Sequence, residues 1–299
     1  MTTPGPVGAQ QRPPGGSGAP IALLDCRHGL FFVLLSDVYV GHALAAYGEF
    51  SEAEAAFLVS LVRPGATVLD IGANLGAFTL PLARAVGPGG RVLAFEPQSF
   101  LHRILRANVA VNNLAGVVST HRRAVGESVG SIDVPILNYA EVGNFGGFDI
   151  SLREFSNQPL RSIASEPVGV IRVDDLGVAA CDLIKIDVEG MELEVIAGAM
   201  QTIERFRPVI YLEAREKAPA LFMTLDALGY RAWWHHPPLF SAANYRGLSE
   251  DLWPGFYSFN VLCLPKASAA EEIVGRHGLV PVLDPFADPG KGQPGRIAP

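Results

Sequence analysis

The sequence predicts an α/β fold built on a mostly parallel sheet with helices on both faces. Short apolar runs alternate with amphipathic stretches through the middle of the chain, which is typical of repeated strand–helix units. A glycine turn at residues 72–76 joins the first of these runs to a helix-like stretch. Several runs end in an acid, which would place carboxylates at the sheet edge where such folds bind ligands. These strand-final acids are Asp70, Glu96, Asp187 and Glu213.

The composition indicates a globular protein that does not depend on nucleic acid or membranes. The chain has 299 residues, 49% of them apolar, so it can bury a sizeable core. Its net charge of −7 and the lack of a Lys/Arg block argue against nucleic acid or an anionic membrane as a partner. Three scattered cysteines form neither a zinc pattern nor a disulfide framework. With no membrane-length apolar run and no signal-peptide pattern, we expect a cytoplasmic location.

The organisation along the chain predicts one domain between two tails. Residues 1–20 are rich in Pro, Gly, Ser and Gln and are expected to be disordered. Residues 21–265 are expected to form a single domain, with a cap over 21–63 and a core over 64–265. Residues 266–299 return to Ala, Gly and Pro and are expected to be a loose tail.

The cap is predicted to hold a hairpin and a helix. Two β-like runs at 21–24 and 30–35 flank a short turn, which indicates the hairpin. Ser51 and Glu54 have the spacing of a capping box, so a helix should begin there and run to about residue 62. This segment could close over a ligand, or it could be an edge hairpin with a packing helix.

The core elements follow in alternation. The helix over 76–86 contains Pro81, which should kink it or delay its start. The stretch 143–147 is predicted to be a mobile glycine-rich loop that either contacts substrate or is a plain surface loop. The remaining strands are expected at 91–96, 117–121, 131–136, 182–188, 209–213, 230–235 and 257–264, and the remaining helices at 100–111, 193–203 and 219–228.

The glycine turn favours S-adenosylmethionine over NAD. The turn from Gly72 through Asn74 to Gly76 lacks the third glycine of a dinucleotide fingerprint. Acids before the turn and at the next strand end suit a ligand with an ammonium group and a sulfonium, and would repel a pyrophosphate. Glu96, which closes the next strand, lies where an acid accepts hydrogen bonds from ribose hydroxyls. The alternative is a tight turn that binds no ligand.

A second group of charges lies at residues 182–192. Lys185, Asp187 and Glu189 alternate and would share one face of the strand, where unpaired charges are rare. Asp187 is the first candidate for a general base, with Glu189 and Glu213 next. Lys185 could stabilise a developing alkoxide or pair with these acids.

Two further features carry open alternatives. His235 and His236 follow two tryptophans at a strand end; such a pair is more often structural than catalytic, and at most one should reach the cleft. Asp187 and Glu213 could hold Mg²⁺ with a third oxygen ligand. We favour neutralisation of these acids by Lys185, and therefore no metal.

The motifs resemble those of the FkbM-type methyltransferases. They are VLDIGANLGAFT at 68–79, FEP at 95–97 and IKIDVEGME at 184–192, and the resemblance extends from about 47 to 264. It implies a Rossmann-like class I methyltransferase fold with a seven-stranded sheet and an antiparallel last strand. It also implies methyl transfer from S-adenosylmethionine, usually to a hydroxyl of a small molecule or sugar. By position, the cofactor residues would be Asp70, Gly72, Asn74, Gly76 and Glu96, together with Tyr47 and Glu49 at the entry to the domain.

Two other functions remain open from the sequence. A protein that binds S-adenosylmethionine without turnover would not need the charges at 185–189. An NAD-dependent oxidoreductase would need the missing third glycine, and no catalytic Tyr-x-x-x-Lys is evident. Aromatic residues at 233–257 suit an apolar, polyketide-type or glycan acceptor, but they would equally suit a closed core. We therefore expect O-methylation of an acceptor that the sequence does not identify.

Overall fold

The computed structural model describes residues 19–149, 154–155, 158–159, 164–214, 219–266, 271–277 and 279–283. The disordered tail expected over residues 1–20 lies outside these described residues except for its last two. In the described ranges, no helix combines the length and apolar character needed to cross a membrane.

The cap begins with the predicted hairpin. Strand β1 (Ile21–Cys26) pairs with β2 (Gly29–Leu34) in antiparallel fashion. Helix α1 (Val40–Tyr47), which the sequence analysis did not predict, precedes helix α2 (Glu52–Ser60). The capping box is only partly formed: the hydroxyl of Ser51 donates to Oε2 of Glu54 at 3.0 Å, and no side chain caps a backbone amide.

The first half of the core alternates as predicted. Pro81 lies in the first turn of its helix, so the proline delays the helix start to Thr79. The elements in order are β3 (Thr67–Ile71), α3 (Thr79–Val86), β4 (Arg91–Phe95), α4 (Ser99–Val111) and β5 (Val118–His121).

An insertion of short strands separates the two halves of the core. Three of its strands form a small sheet in the order β6-β11-β7, and three others form a sheet in the order β10-β9-β8. A 3₁₀ turn at Val173–Leu176 follows. The strands are β6 (Ala124–Val125), β7 (Gly130–Pro135), β8 (Phe148–Asp149), β9 (Glu154–Phe155), β10 (Gln158–Pro159) and β11 (Ser165–Ile171).

The second half of the core contains one break that the sequence pattern did not predict. The single helix expected over 193–203 is two helices, which are separated at residues 198–199. Glycine is required at this break, because a side chain at Gly198 would overlap the carbonyl oxygen of Gly126. The elements are β12 (Leu183–Ile186), α5 (Glu192–Ala197), α6 (Met200–Phe206), β13 (Val209–Glu213), α7 (Pro219–Ala227), β14 (Tyr230–His235), β15 (Asn260–Pro265), α8 (Glu271–His277) and β16 (Val280–Pro281).

The central sheet has the order β16-β14-β15-β13-β12-β3-β4-β5. The pairs from β13 through β5 are parallel, and β15 is antiparallel to both β13 and β14. The mostly parallel α/β sheet and its antiparallel strand are confirmed. The sheet has eight strands rather than seven, because Val280 and Pro281 pair with β14. Regular structure therefore continues through α8 and β16, where the sequence analysis expected a loose tail from 266.

Alternate strand residues face two separate cores, as pleating requires. Val68 and Tyr211 pack with α2, α3 and α4 on one face, whereas Leu69 and Ile210 pack with α5, α6 and α7 on the other. The carboxyl ends of β3, β4, β12 and β13 consequently meet at one edge of a sheet that is covered on both faces. The candidate site lies along this edge.

Candidate active site

The glycine turn is fixed to the neighbouring strands by backbone contacts. The amides of Gly72 and Ala73 donate to the carbonyl oxygen of Phe95 at 3.0 and 2.9 Å. Gly72 has φ +84°, and a side chain there would overlap the carbonyl oxygen of Asp187. From the sequence, glycine is expected at this position because it lets a ligand come close to the backbone. The structure gives a different reason, which is that the chain after β12 passes close to the backbone of Gly72.

The second glycine of the turn is constrained by the core. Gly76 has φ +99°, and a Cβ there would lie 2.9 Å from Cδ1 of Leu105 on α4. A side chain at this position would require that of Leu105 to shift, and the positive φ is itself unfavourable for residues other than glycine. The structure thus gives a conformational reason for this glycine, beside its predicted role in ligand approach.

Glu96 braces the turn from the end of β4. Its Oε2 accepts the backbone amide of Asn74 at 2.9 Å, and its Oε1 accepts that of Gln98 at 2.8 Å. Asn74 has φ +51°, which turns its amide toward this carboxylate. Burial raises the pKa of Glu96 to about 7. Each oxygen keeps acceptor capacity beyond its amide, so the carboxylate fits a ligand that offers hydroxyl donors.

Asp70 is engaged by other side chains of the chain. It is fully buried, and its Oδ2 accepts the hydroxyl of Thr79 at 2.6 Å. Its Oδ1 lies 3.6 Å from Nζ of Lys185 and accepts no hydrogen bond among the described residues. Asp70 therefore pairs with Lys185 on its buried side. It helps to position the lysine, and its own carboxylate is not exposed at the surface of the site.

Lys185 is a buried cation surrounded by acids. Its side chain is 2% exposed, and Nζ lies 3.2 Å from Oδ2 of Asp187. It also lies 5.0 Å from the ring centroid of Phe78. Burial works to lower the pKa of Lys185, but Asp187, Asp70 and Glu54 outweigh it and raise that pKa overall. The ammonium group therefore stays charged.

The predicted acids after β12 and β13 come together. One carboxylate oxygen from each of Asp187, Glu189 and Glu213 lies within 4.8 Å of the other two. Burial and the adjacent Asp187 raise the pKa of Glu213 well above its usual value. Burial therefore disfavours the ionised form of Glu213, and Asp187 faces Lys185. Three such carboxylates could also bind a divalent cation, and the Lys185 contact competes with that role.

Glu54, from the cap, also belongs to the cluster, and the sequence analysis missed this. Its carboxyl is 4% exposed and lies near Lys185, Ser51 and Ser258. Burial raises its pKa to about 7. The sequence did carry a signal, because Glu54 shares one face of α2 with buried Leu58, four residues later. Because Glu54 also has the spacing of a capping box, its burial was not predicted.

The two histidines take opposite sides of β14, as the alternation of strand side chains predicts. Nδ1 of His235 lies 2.9 Å from the hydroxyl of Tyr211. Burial lowers the pKa of His235 to about 4, so its ring is neutral. His236 stacks on Trp234 with centroids 5.8 Å apart. His235 thus contacts the acid cluster indirectly, through the hydroxyl of Tyr211.

Tyr47 and Glu49 lie in a clasp, by which we mean the contacts between the cap and residues 237–255. The hydroxyl of Tyr47 accepts the amide of Leu252 at 2.7 Å. Oε2 of Glu49 accepts Nε of Arg27 at 2.6 Å and the amide of Tyr245 at 2.8 Å. Both side chains are buried. Their role in cofactor binding stays a prediction, and the contacts that the structure gives them are to the protein.

The glycine-rich loop at 143–147 is fastened beside the turn. Gly143 exchanges backbone hydrogen bonds with Ser36 and Val38 of the cap, at 3.0 Å each. The side-chain amide of Gln98 donates to the carbonyl oxygen of Phe145 at 2.8 Å. A Cβ at Gly146 would lie 3.0 Å from Nδ2 of Asn74. The loop thus links the cap to the turn.

Comparison with known proteins places this site in a family. Residues 70–232 match the family model described as "Methyltransferase FkbM domain". The chain is 28% identical over 156 residues to methyltransferase sdnD of Sordaria araneosa, covering 44% of this chain and 59% of that protein. It is 32% identical over 160 residues to the 31-O-demethyl-FK506 methyltransferase FkbM of Streptomyces tacrolimicus, covering 46% of this chain and 60% of that protein.

A solved structure is also similar. The crystal structure of methyltransferase FkbM from Methylobacillus flagellatus KT aligns with a TM-score of 0.45 at 19% identity, covering 68% of this chain and 45% of that one. The family match includes the glycine turn and the acids after β4, β12 and β13, and it begins after Glu54. It spans more than half of the 299 residues. The chain therefore belongs to the FkbM methyltransferase domain family.

Proposed function

We propose that this chain transfers the methyl group of S-adenosylmethionine to a hydroxyl oxygen of a small-molecule, sugar or polyketide-type acceptor. The observation that carries the proposal is the contact between the two sites: the chain at Asp187 passes directly over Gly72. Acids that could handle the acceptor's proton thus lie next to the turn that would hold the methyl donor. Membership in a methyltransferase family supports the same reaction.

The chain's own groups fit the donor. Glu96 would accept the ribose hydroxyls, and the turn around Asn74 would hold the methionine part. S-adenosylmethionine, when bound, supplies a methyl group activated by a positively charged sulfur. An acid-lined cleft suits that charge, as it would not suit the pyrophosphate of NAD.

Asp187 is the group that we assign as general base. As the acceptor oxygen forms its bond to the methyl carbon, its O–H bond breaks and the proton needs a destination. Burial disfavours the ionised form of Glu213. The side chain of Asp187 is paired with Lys185 and is 37% exposed, so a substrate can reach it. Lys185 would also offset the negative charge that develops on the acceptor oxygen.

The relatives support oxygen as the acceptor atom. One of them is named for a 31-O-demethyl substrate. Trp253 and Phe256 lie against Tyr39 of the cap, with ring centroids 6.2 and 5.1 Å from that of Tyr39. Such aromatic residues would suit the flat or apolar surface of a polyketide-type or sugar acceptor. A protein that bound the donor without turnover would have no need of a buried lysine paired with acids at this position.

Two measurements test the proposal. Calorimetric titration of the wild type with S-adenosylhomocysteine and with NAD⁺ should show binding of the first, weakened by ~1 kcal/mol or more in Glu96→Ala. Transfer of a labelled methyl group to a panel of hydroxyl-bearing acceptors should then be lost in Asp187→Asn. Asp226→Asn, a change of the same kind in a surface ion pair, is the control. Binding of NAD⁺ alone would overturn the proposal.

A further inference from the structure

Glu54 is an unusual occupant of a buried position in the cap. Carboxylates are almost never fully buried unless they are paired or have a role. A glutamate in the first turn of α2 that had only a capping role could remain exposed to solvent. Glu54 instead points inward, and at 4% exposure its carboxyl is closed off from solvent.

The groups that face Glu54 come from the core sheet, from the segments next to its strands, and from the cap. Lys185 of β12 and the following Asp187 lie within electrostatic reach, as does the hydroxyl of Tyr211 on β13. Ser51 donates to it at 3.0 Å, and the hydroxyl of Ser258 lies beside it before β15. The cap therefore contributes a carboxyl to a cluster whose other members belong to the core.

Among the described residues, acids outnumber cations around Glu54. The ammonium group of Lys185 is surrounded by the carboxyl groups of Asp70, Asp187 and Glu54. When Glu54 is ionised, it adds a negative charge that is closed off from solvent. Such a charge attracts a positive ligand more strongly than the same charge would in water.

We propose that Glu54 determines ligand preference at this site, because its buried negative charge favours the cationic methyl donor over the neutral product of the reaction. This inference rests on the proposed function. S-adenosylmethionine carries a positive sulfur, whereas S-adenosylhomocysteine carries a neutral one and is otherwise the same molecule. The cluster would bind the donor more tightly and release the product once the charge is gone.

The test compares the two ligands on one protein by calorimetry. Titrations are made at pH 8.5, above the pKa of about 7 that burial gives Glu54. Glu54→Gln removes the charge and keeps the size and the hydrogen bond with Ser51. Its affinity for S-adenosylmethionine should fall by roughly three- to tenfold, as expected for the loss of one charge–charge interaction, while that for S-adenosylhomocysteine changes less than about twofold. Glu52→Gln, on the same helix but paired with His28, should leave both affinities unchanged.

A second measurement covers the case in which Glu54→Gln fails to fold. On the wild type, the preference for donor over product should increase between pH 6 and pH 8.5, as Glu54 ionises. Glu96 ionises in the same range. The increase should therefore persist in Glu96→Gln, which removes that titration and leaves Glu54 in place. Equal loss of both ligands in Glu54→Gln, or a ratio that ignores both the substitution and the pH, would overturn the inference. Failure of the wild type to bind either ligand would overturn the proposed function, and this inference with it.

Discussion

The carbonyl oxygen of Asp187 occupies the space that a side chain at position 72 would need. The amide of Asp187 also donates to the carbonyl oxygen of Ile71 at 2.9 Å. The glycine turn and the acid that we assign as base are thus one rigid unit. A displacement of either would be transmitted to the other.

Gly72→Ala should therefore disrupt both parts of the site. Gly65 offers a matched control, because it has a similar φ of +86° but open space around a Cβ. Gly65→Ala should cost about 1–2 kcal/mol of stability through backbone strain alone, whereas Gly72→Ala should cost more and should also abolish binding of S-adenosylhomocysteine. Urea unfolding and calorimetry measure the two effects. Equal costs at the two positions would show that the Asp187 contact is not tight.

Removal of the buried cation should be strongly destabilising. Lys185→Met leaves Asp70 fully buried without its counter-ion, which should lower the free energy of unfolding by about 3–5 kcal/mol. Lys266, paired with Asp226 at 2.7 Å on the surface, is the control. Lys266→Met should change stability by no more than about 0.5 kcal/mol. Denaturant titration of both variants measures these changes in the free energy of unfolding. A small change of similar size in both would mean that Asp70 can lose its charge at little cost.

Cofactor affinity should depend on pH through Glu96. Its pKa in the free protein is about 7, raised from the usual 4.5, so the carboxyl is protonated below pH 7. Only the ionised form accepts hydrogen bonds from ribose hydroxyls with both oxygens, so affinity for S-adenosylhomocysteine should rise from pH 6 to pH 8. In Glu96→Gln this rise should flatten. A profile that keeps its slope in the variant would assign the titration to another group.

The same shifts affect the stability of the free protein. Glu54 and Glu96 each have a folded-state pKa of about 7 against 4.5 when unfolded. Their contribution to stability is full below pH 4.5 and is lost as the pH rises toward 7 and above. Glu54→Gln should reduce the pH dependence of the free energy of unfolding over that interval, and Glu52→Gln should not. Urea unfolding at several pH values gives the comparison.

Substitution of Glu49 can distinguish two roles. The sequence predicts that Glu49 binds the cofactor, whereas the structure shows it in the clasp. If it fastens the clasp, Glu49→Gln should expose residues 237–255 to faster proteolytic cleavage, because it weakens the charged hydrogen bond from Arg27 by about 1–3 kcal/mol. Affinity for S-adenosylhomocysteine should then change little. A large loss of affinity with unchanged proteolysis would favour the cofactor role. Glu250→Gln, an exposed change in the same segment, is the control.

Magnesium should not stabilise the protein. Lys185 lies 3.2 Å from Asp187, and burial disfavours the ionised form of Glu213; both reduce the attraction of the acid cluster for a divalent cation. We expect no saturable rise in melting temperature on adding magnesium, and no loss of methyl transfer on adding a chelator. A rise that disappears in Glu213→Gln would instead identify a metal site formed by Asp187, Glu189 and Glu213.

The elements that sequence reasoning found are those with local signals. Apolar runs and glycine punctuation were enough for the alternating core, and the acids at strand ends marked the edge where the site lies. Strand β16 was missed because a two-residue strand has no periodicity, and its pairing with β14 is set by tertiary contact. The glycine at the break between α5 and α6 lies against the carbonyl of Gly126, a contact between residues that are distant in sequence.

The site followed the same division. Lys185, Asp187 and Glu189 were visible because charged residues alternate within the end of a buried strand and just beyond it. Glu54 was hidden, because its burial results from packing of the cap against β12 and β13. The reasons for Gly72 and Gly76 were likewise tertiary, since both positions are restricted by segments more than twenty residues away along the chain.

Asn108 of α4 joins the cap to the core at a single buried side chain. Its Oδ1 accepts the amide of Phe32, and its Nδ2 donates to the carbonyl oxygens of both Phe32 and Leu75. One side-chain amide thus forms hydrogen bonds with both the edge of the hairpin and the middle of the glycine turn. A chimera that grafts the cap of a relative onto this core would need to bring the matching face of α4 with it, or the imported hairpin would find no partner for its backbone.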